Sequence, residues 1–129
     1  MNKELVRGVG STTVDNLFAK LSPAAETFGV VIRKASAEIV YKRGTVLGKS
    51  DKDSKLVIFG TEAEEGENIA PYCVLSDNVE VSAESDTTAV AYRCGNFNRA
   101  ALIVAENYTM TDKDEDELRK LDIILTDTM

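Results

Sequence analysis

Short runs of β-branched and aromatic residues, separated by turn-forming residues, recur from Phe28 onward and limit the fold more than any other feature of the sequence. Turn residues interrupt these runs about every ten residues, which is typical of a small β-barrel or sandwich. The length of 129 residues fits one domain with its own core. The chain is therefore predicted to be a mostly β, barrel-like single domain. The predicted strands are residues 28–33, 38–41, 45–47, 55–59, 69–75, 79–81, 87–94 and 100–104.

The stretch GTVLGKS, from Gly44 to Ser50, ends like a phosphate-binding loop but is one residue too short for one. That loop needs four residues between its glycine and the Gly-Lys-Ser, and only residues 45–47 stand between them here. A polar turn at 50–54 and a β-rich run at 55–59 follow, where a phosphate loop would open a helix. The pattern instead predicts a β-hairpin that starts from a turn at 42–44.

The composition argues against several classes of function. The net charge is −7 and lysine and arginine are not clustered, so we expect no nucleic-acid binding. Histidine is absent, which removes the commonest general base and zinc ligand. No apolar run approaches the roughly 18 residues of a membrane span, and the N-terminus lacks the apolar centre of a signal peptide. We therefore expect no membrane contact, and we expect the protein to be made and kept in a cytoplasm.

The two ends of the chain differ from its centre. Residues 1–27 are predicted to be a flexible N-terminal arm, because residues 8–13 are small and polar and only 14–19 form an apolar patch. Two interpretations stay open: an arm that orders on a partner, or a frayed end with one hydrophobic anchor on the domain. Residues 28–129 are predicted to be the β-rich domain, with a helix at about 112–121 capped by Thr111. Residues 123–125 close the chain as a strand or as an apolar plug for a neighbour.

Candidate reactive side chains are few. Cys73 and Cys94 lie in separate apolar runs, so we expect two buried reduced thiols, and contact between them stays open. Acidic residues alternate at 112, 114 and 116 as in a calcium loop, but Glu117 and Ile123 occupy positions that require glycine and glutamate. The acidic loop at 62–67 is predicted to be a solvated surface. We predict no catalytic residue, no cofactor and no metal site.

Several segments match a known family in order and spacing. These are KRGTVLGK at 42–49, APYCVL at 70–75 with DNV at 77–79, and AVAYRCGNFNRAAL at 89–102. The segment DNLFA at 15–19 and the segment LRKL at 118–121 extend the match to roughly residues 14–125. In this combination the chain resembles the lambda-type bacteriophage head decoration proteins.

The resemblance implies a non-enzymatic structural protein of the virion with a β-clip fold. It implies a late protein made in the host bacterial cytoplasm that binds the major capsid protein on the capsid exterior. A homotrimer would sit at three-fold or quasi-three-fold sites of the expanded head and stabilise it by bridging capsid subunits. The arm residues expected to contact the capsid are Val9, Val14, Leu17 and Phe18. The residues expected at the trimer interface are Phe97, Asn98, Ile123, Ile124 and Leu125.

Two other functions stay open at this stage. One is a small trimeric β-class enzyme such as a nucleotide pyrophosphatase, although the sequence has no glycine-rich substrate motif beside a carboxylate. The other is a generic oligomeric module, in which the apolar segments 14–18 and 123–125 pack between identical subunits.

Overall fold

The computed structural model describes residues 16–20 and 23–127. This part of the chain is mostly β, as the sequence predicted, with one short α-helix. The strands are β1 (Phe18–Lys20), β2 (Glu26–Ile32), β3 (Ile39–Tyr41), β4 (Val46–Ser50), β5 (Leu56–Ile58), β6 (Ile69–Leu75), β7 (Val79–Val81), β8 (Thr87–Asn98) and β9 (Ile123–Thr126). A 3-10 helix, Arg99–Ala101, follows β8, and the α-helix α1 is Asp112–Arg119.

Five strands close into a small barrel. They run in the order β8, β2, β5, β4, β6, and pairing of β6 with β8 joins the two ends. Neighbouring strands of the barrel are antiparallel except β2 and β5, which are parallel and share the single register pair Ile32 and Leu56. A separate two-stranded ribbon of β3 and β7 packs the buried side chain of Val81 onto the barrel core. The predicted barrel-like architecture is confirmed.

The strand β8 connects two hydrophobic cores. Its first half belongs to the barrel, whose interior is filled by Val30, Ile32, Leu47, Leu56, Cys73, Leu75, Val81 and Ala91. Its second half lies between β1, which is antiparallel to it, and β9, which is parallel. The second core forms there, and its buried members are Leu17, Val74, Phe97, Leu118 and Ile123.

The end predicted for the strand at 87–94 is wrong, because β8 continues to Asn98. Gly95 takes a φ of +149°, a conformation that favours glycine, and a side chain there would meet the Phe97 ring at 3.1 Å. Pairing with β1 and β9 on both sides keeps the following residues extended. The strand predicted at 100–104 is also wrong: the 3-10 helix occupies its start, and only Ile103 forms a bridge, to Thr45.

The hairpin and the helix are where local sequence signals placed them. β4 and β5 pair antiparallel, and Gly48, Lys49 and Ser50 lie inside β4, so the GKS sequence is a strand and not a phosphate loop. Thr111 caps α1 in a capping box with Asp114. The helix ends at residue 119, two residues earlier than predicted. At the other end of the chain, β1 and the first residues of β2 fall inside the range predicted as the arm.

Candidate functional site

The described N-terminal segment is anchored to the domain through Leu17 and Phe18. Leu17 is 2% exposed and belongs to the second core. Its carbonyl accepts a 2.7 Å hydrogen bond from the backbone N–H of Asn98, and Phe18 then pairs with Phe97 across β1 and β8. Leu17 and Phe18, from the apolar patch of the sequence, therefore form a hydrophobic anchor on this chain's own domain. It fixes the point at which residues 1–15 join the fold.

Aromatic rings and one arginine hold β1 in place. Phe18 stacks on Phe97 with ring centroids 5.1 Å apart and meets Tyr92 edge-on at 5.0 Å. The Arg43 guanidinium lies 5.8 Å from the centroid of Phe18 and 5.5 Å from that of Tyr92, within cation–π range. Its Nη1 also donates to the Tyr92 hydroxyl at 2.7 Å and to the carbonyl of Ser76 at 2.8 Å. This cluster ties the anchor to the loop that precedes β4.

Gly44 provides the space into which the anchor fits. Its φ is +95°, and a Cβ added there would lie 3.3 Å from Leu17 Cδ1 and 3.1 Å from the carbonyl oxygen of Ala101. A larger residue would be strained by the backbone conformation and would push on the leucine. The turn glycine of the sequence motif therefore serves the packing of the N-terminal segment.

Arg99 fastens the C-terminal strand and the helix beside β8. Its guanidinium pairs with both oxygens of Glu115 at 3.0 and 2.8 Å and with the carboxylate of Asp127. It also donates to the carbonyl of Leu125 at 3.3 Å. Hydrogen bonds to Glu115 and then Asp127 raise the arginine pKa above its usual value, so the residue is a permanent cation. One side chain thus links α1, β9 and the end of β8.

The residues predicted for the two interfaces fall into three groups. Val9 and Val14 lie outside the described residues. Leu17, Phe97 and Ile123 are buried by their own chain, and Phe18 is half-buried in the aromatic cluster. The predicted interface residues that keep partial exposure are Asn98, Ile124 and Leu125.

The sequence predicted that the acidic loop at 62–67 is a solvated surface, and the structure shows that one end of it is buried. Glu67 is buried at its end, and its Oε2 accepts hydrogen bonds from the hydroxyl of Ser50 and from Nη2 of Arg33, the latter at 2.6 Å. Its other oxygen accepts the amide of Glu64 at 3.1 Å. The Ser50 and Arg33 bonds lower the pKa of Glu67 to about 2. Arg33 also pairs with Asp53 at 3.0 Å, so this cluster fixes the loop to the barrel.

The cysteines differ from each other. Cys73 is buried in the barrel, and burial raises the pKa of its thiol to about 12. Cys94 is only half-buried, contrary to the sequence expectation, and its Sγ lies 3.3 Å from the carbonyl oxygen of Ala24. Both are free thiols.

Within residues 16–20 and 23–127, no group of three or more acidic or cysteine side chains is arranged to hold a metal ion. The helical segments in this part of the chain are too short and too polar to span a bilayer.

Sequence reasoning missed several residues that hold the N-terminal segment and the acidic loop in place. Arg43 and Tyr92 carry no local signal, because their contact joins positions 49 residues apart. Glu67 is one of several acidic residues in its loop, and only the fold places it next to Arg33. Gly44 did carry a signal, since a glycine after Lys-Arg at a strand start indicates a turn with positive φ.

Comparisons with known proteins identify the relatives of this fold. The search of curated proteins gives no match. The family model described as Bacteriophage lambda head decoration protein D matches residues 10–124, nearly the whole chain. That match includes the anchor, the barrel, the helix and the start of β9. The chain therefore belongs to the bacteriophage lambda head decoration protein D family.

Proposed function

We propose that this protein is a homotrimeric cement of a phage head, which binds expanded capsids at three-fold or quasi-three-fold sites and bridges capsid subunits. The observation that carries the proposal is the family match over residues 10–124, which supports a capsid decoration role and a location on the virion. The family is a structural one, and cementing needs no catalytic group. Many copies on one shell turn small binding energies per site into a large total.

The anchored N-terminal segment supports a capsid-binding function for the residues that precede it. Leu17 and Phe18 are held by the core and by the aromatic cluster, so residues 1–15 start from a fixed place on the domain. A short segment tethered at one point needs to order only itself on binding, which lowers the entropic cost of pairing with the capsid. In this proposal Val9 and Val14 contact the major capsid protein, while Leu17 and Phe18 act as the anchor.

The trimer contact is proposed at the end of β8 and along β9. Asn98, Ile124 and Leu125 keep partial exposure there, next to the buried Phe97 and Ile123. A second subunit would contact Asn98, Ile124 and Leu125. Phe97 and Ile123 would support these residues from the core of their own subunit. Ile124→Asp is expected to lower the mass in free solution without unfolding the domain, and native mass spectrometry measures this directly.

The function is tested with a truncated protein that keeps the anchor. Deletion of residues 1–15 leaves β1 and the second core intact, so its unfolding temperature should stay close to that of the full chain. Its binding to undecorated expanded heads in a co-sedimentation assay should be lost. The full chain, mixed with the same heads, is the control. Equal binding of the two proteins would contradict the capsid-binding function of these residues.

A further inference from the structure

Among residues 16–20 and 23–127, one edge of the barrel strand β2 is unpaired over most of its length. β2 pairs with β8 along its length, but it pairs with β5 only where Ile32 meets Leu56. The amide of Arg33 donates to Leu56 on that side at 2.8 Å. Because alternate residues of a strand direct their backbone groups to the same side, Gly29 points its N–H and C=O toward the β5 side as well. Among the described residues, no strand pairs with Gly29 there.

A cleft of about 370 Å³ runs beside this edge. Phe28, Val30 and Leu56 contribute apolar surface to it, and Lys49 and Tyr72 line it from β4 and β6. The hydroxyl residues Ser54 and Thr88 also line it. Lys49 is the one charged residue among the described residues that line this cleft. An apolar cleft with a single cation beside a free strand edge has the features of a site that receives an extended peptide.

Lys49 is not used by the fold as an ion-pair partner. Its Nζ lies 4.9 Å from the centroid of the Tyr72 ring, and no carboxylate of the described residues lies within salt-bridge distance of it. In the neighbouring cleft, Asp51 accepts two hydrogen bonds from Asn68, at 2.9 and 3.2 Å, and so is already engaged. An ammonium without an ion-pair partner among the described residues, at the side of this cleft, favours a carboxylate from a partner.

We propose that the open edge of β2 pairs with an extended segment of the capsid protein, which places an apolar side chain in the cleft and a carboxylate at Lys49. The inference rests on the proposed function for the identity of the partner. It adds a second contact, on the barrel itself, to the one made by residues 1–15. Backbone pairing at Gly29 gives affinity, and the cleft and Lys49 select the side chains of the partner.

Two matched pairs of variants test the contact. Gly29→Pro removes the N–H that faces the open edge, whereas Gly29→Ala keeps it, and a Cβ at this position meets nothing within 4 Å. Lys49→Glu reverses the charge in the cleft, and Lys113→Glu makes the same change of net charge on the exposed surface of α1. Each variant is checked for its unfolding temperature and its mass in solution, and is then titrated onto undecorated expanded heads.

The proposal predicts that Gly29→Pro and Lys49→Glu each weaken head binding by about tenfold or more, as loss of a charge-assisted or backbone contact would. Gly29→Ala and Lys113→Glu should bind within about twofold of the unmodified chain, as substitutions outside a contact do. If Gly29→Pro does not fold, the comparison of Lys49→Glu with Lys113→Glu still tests whether the cleft contacts the capsid protein.

Three results would overturn the inference. If Lys49→Glu binds heads as Lys113→Glu does, while the unmodified chain binds, the cleft is not a capsid contact and the proposed function stands. If Gly29→Pro changes the mass in solution instead of head binding, a second copy of this chain occupies the edge. If the unmodified chain itself fails to bind heads, the proposed function fails and the named partner fails with it.

Discussion

Truncation of Leu17 to alanine tests whether the N-terminal anchor holds as the structure indicates. Leu17 is 2% exposed, and the other buried members of its core, Val74, Phe97, Leu118 and Ile123, are 0% exposed. Removing three buried carbon atoms costs about 2.5 kcal/mol in transfer free energy. The cavity left among such enclosed neighbours raises the expected loss to about 3–4 kcal/mol.

The measurement is urea unfolding followed by circular dichroism, with the midpoint in heat as a second readout. For a domain of this size, a loss of about 3 kcal/mol corresponds to roughly 10 °C in the unfolding temperature. Val40→Ala is the control, because Val40 is 51% exposed and its truncation should cost less than about 1 kcal/mol. β1 is a short edge strand, so the segment of Leu17 and β1 can detach while the rest of the domain stays folded. The stability lost in Leu17→Ala therefore cannot exceed the free energy with which this segment docks on the domain.

A loss below about 1 kcal/mol for Leu17→Ala would refute the reasoning. It would mean that the segment docks so weakly that its removal costs the domain little, and that residues 1–15 have no fixed starting point. We also expect Leu17→Ala to bind heads more weakly than Val40→Ala does. Equal binding by these two variants would mean that head binding does not depend on the anchor.

Three further predictions concern the domain. The pKa of Glu67 is about 2 against an ordinary 4.5, so its ionised form adds folding stability that is fully present above pH 4.5 and is lost as the pH falls from 4.5 to about 2. In urea unfolding, the difference in stability between the unmodified chain and Glu67→Gln should therefore shrink over this pH range. A difference that stays constant would contradict this prediction. Gly48→Ala should lower the stability by about 1–3 kcal/mol, because the added Cβ would lie 2.6 Å from Ile69 Cγ2; calorimetry measures this, and an unchanged midpoint would contradict the packing. Thr111→Ala should cost about 1 kcal/mol through loss of the α1 cap, whereas Thr111→Ser should retain most of it.

Features set by neighbouring residues were predictable from the sequence. The capped helix after Thr111 and the β4–β5 hairpin depend on residues a few positions apart, and both are present. The sequence also predicted that GKS is not a phosphate loop, because its spacing and its flanks lack what such a loop requires, and these residues lie in β4.

Features set by distant residues were not predictable in the same way. Residues 95–98 have turn-forming composition, and they stay extended because β1 and β9 pair with them from both ends of the chain. Those two strands also enclose Phe97 in the second core. Lys49 and Glu67 show the same limit, since their surroundings come from strands and loops far away in the sequence.

The most direct test of the central claim is saturation binding of the purified full chain to undecorated expanded heads, with the heat resistance of the heads followed in parallel. We expect saturable binding in multiples of three for each local three-fold site, and heads that withstand higher temperature as the sites fill. Absence of binding at micromolar concentration, or binding that leaves the heat resistance of the heads unchanged, would contradict it.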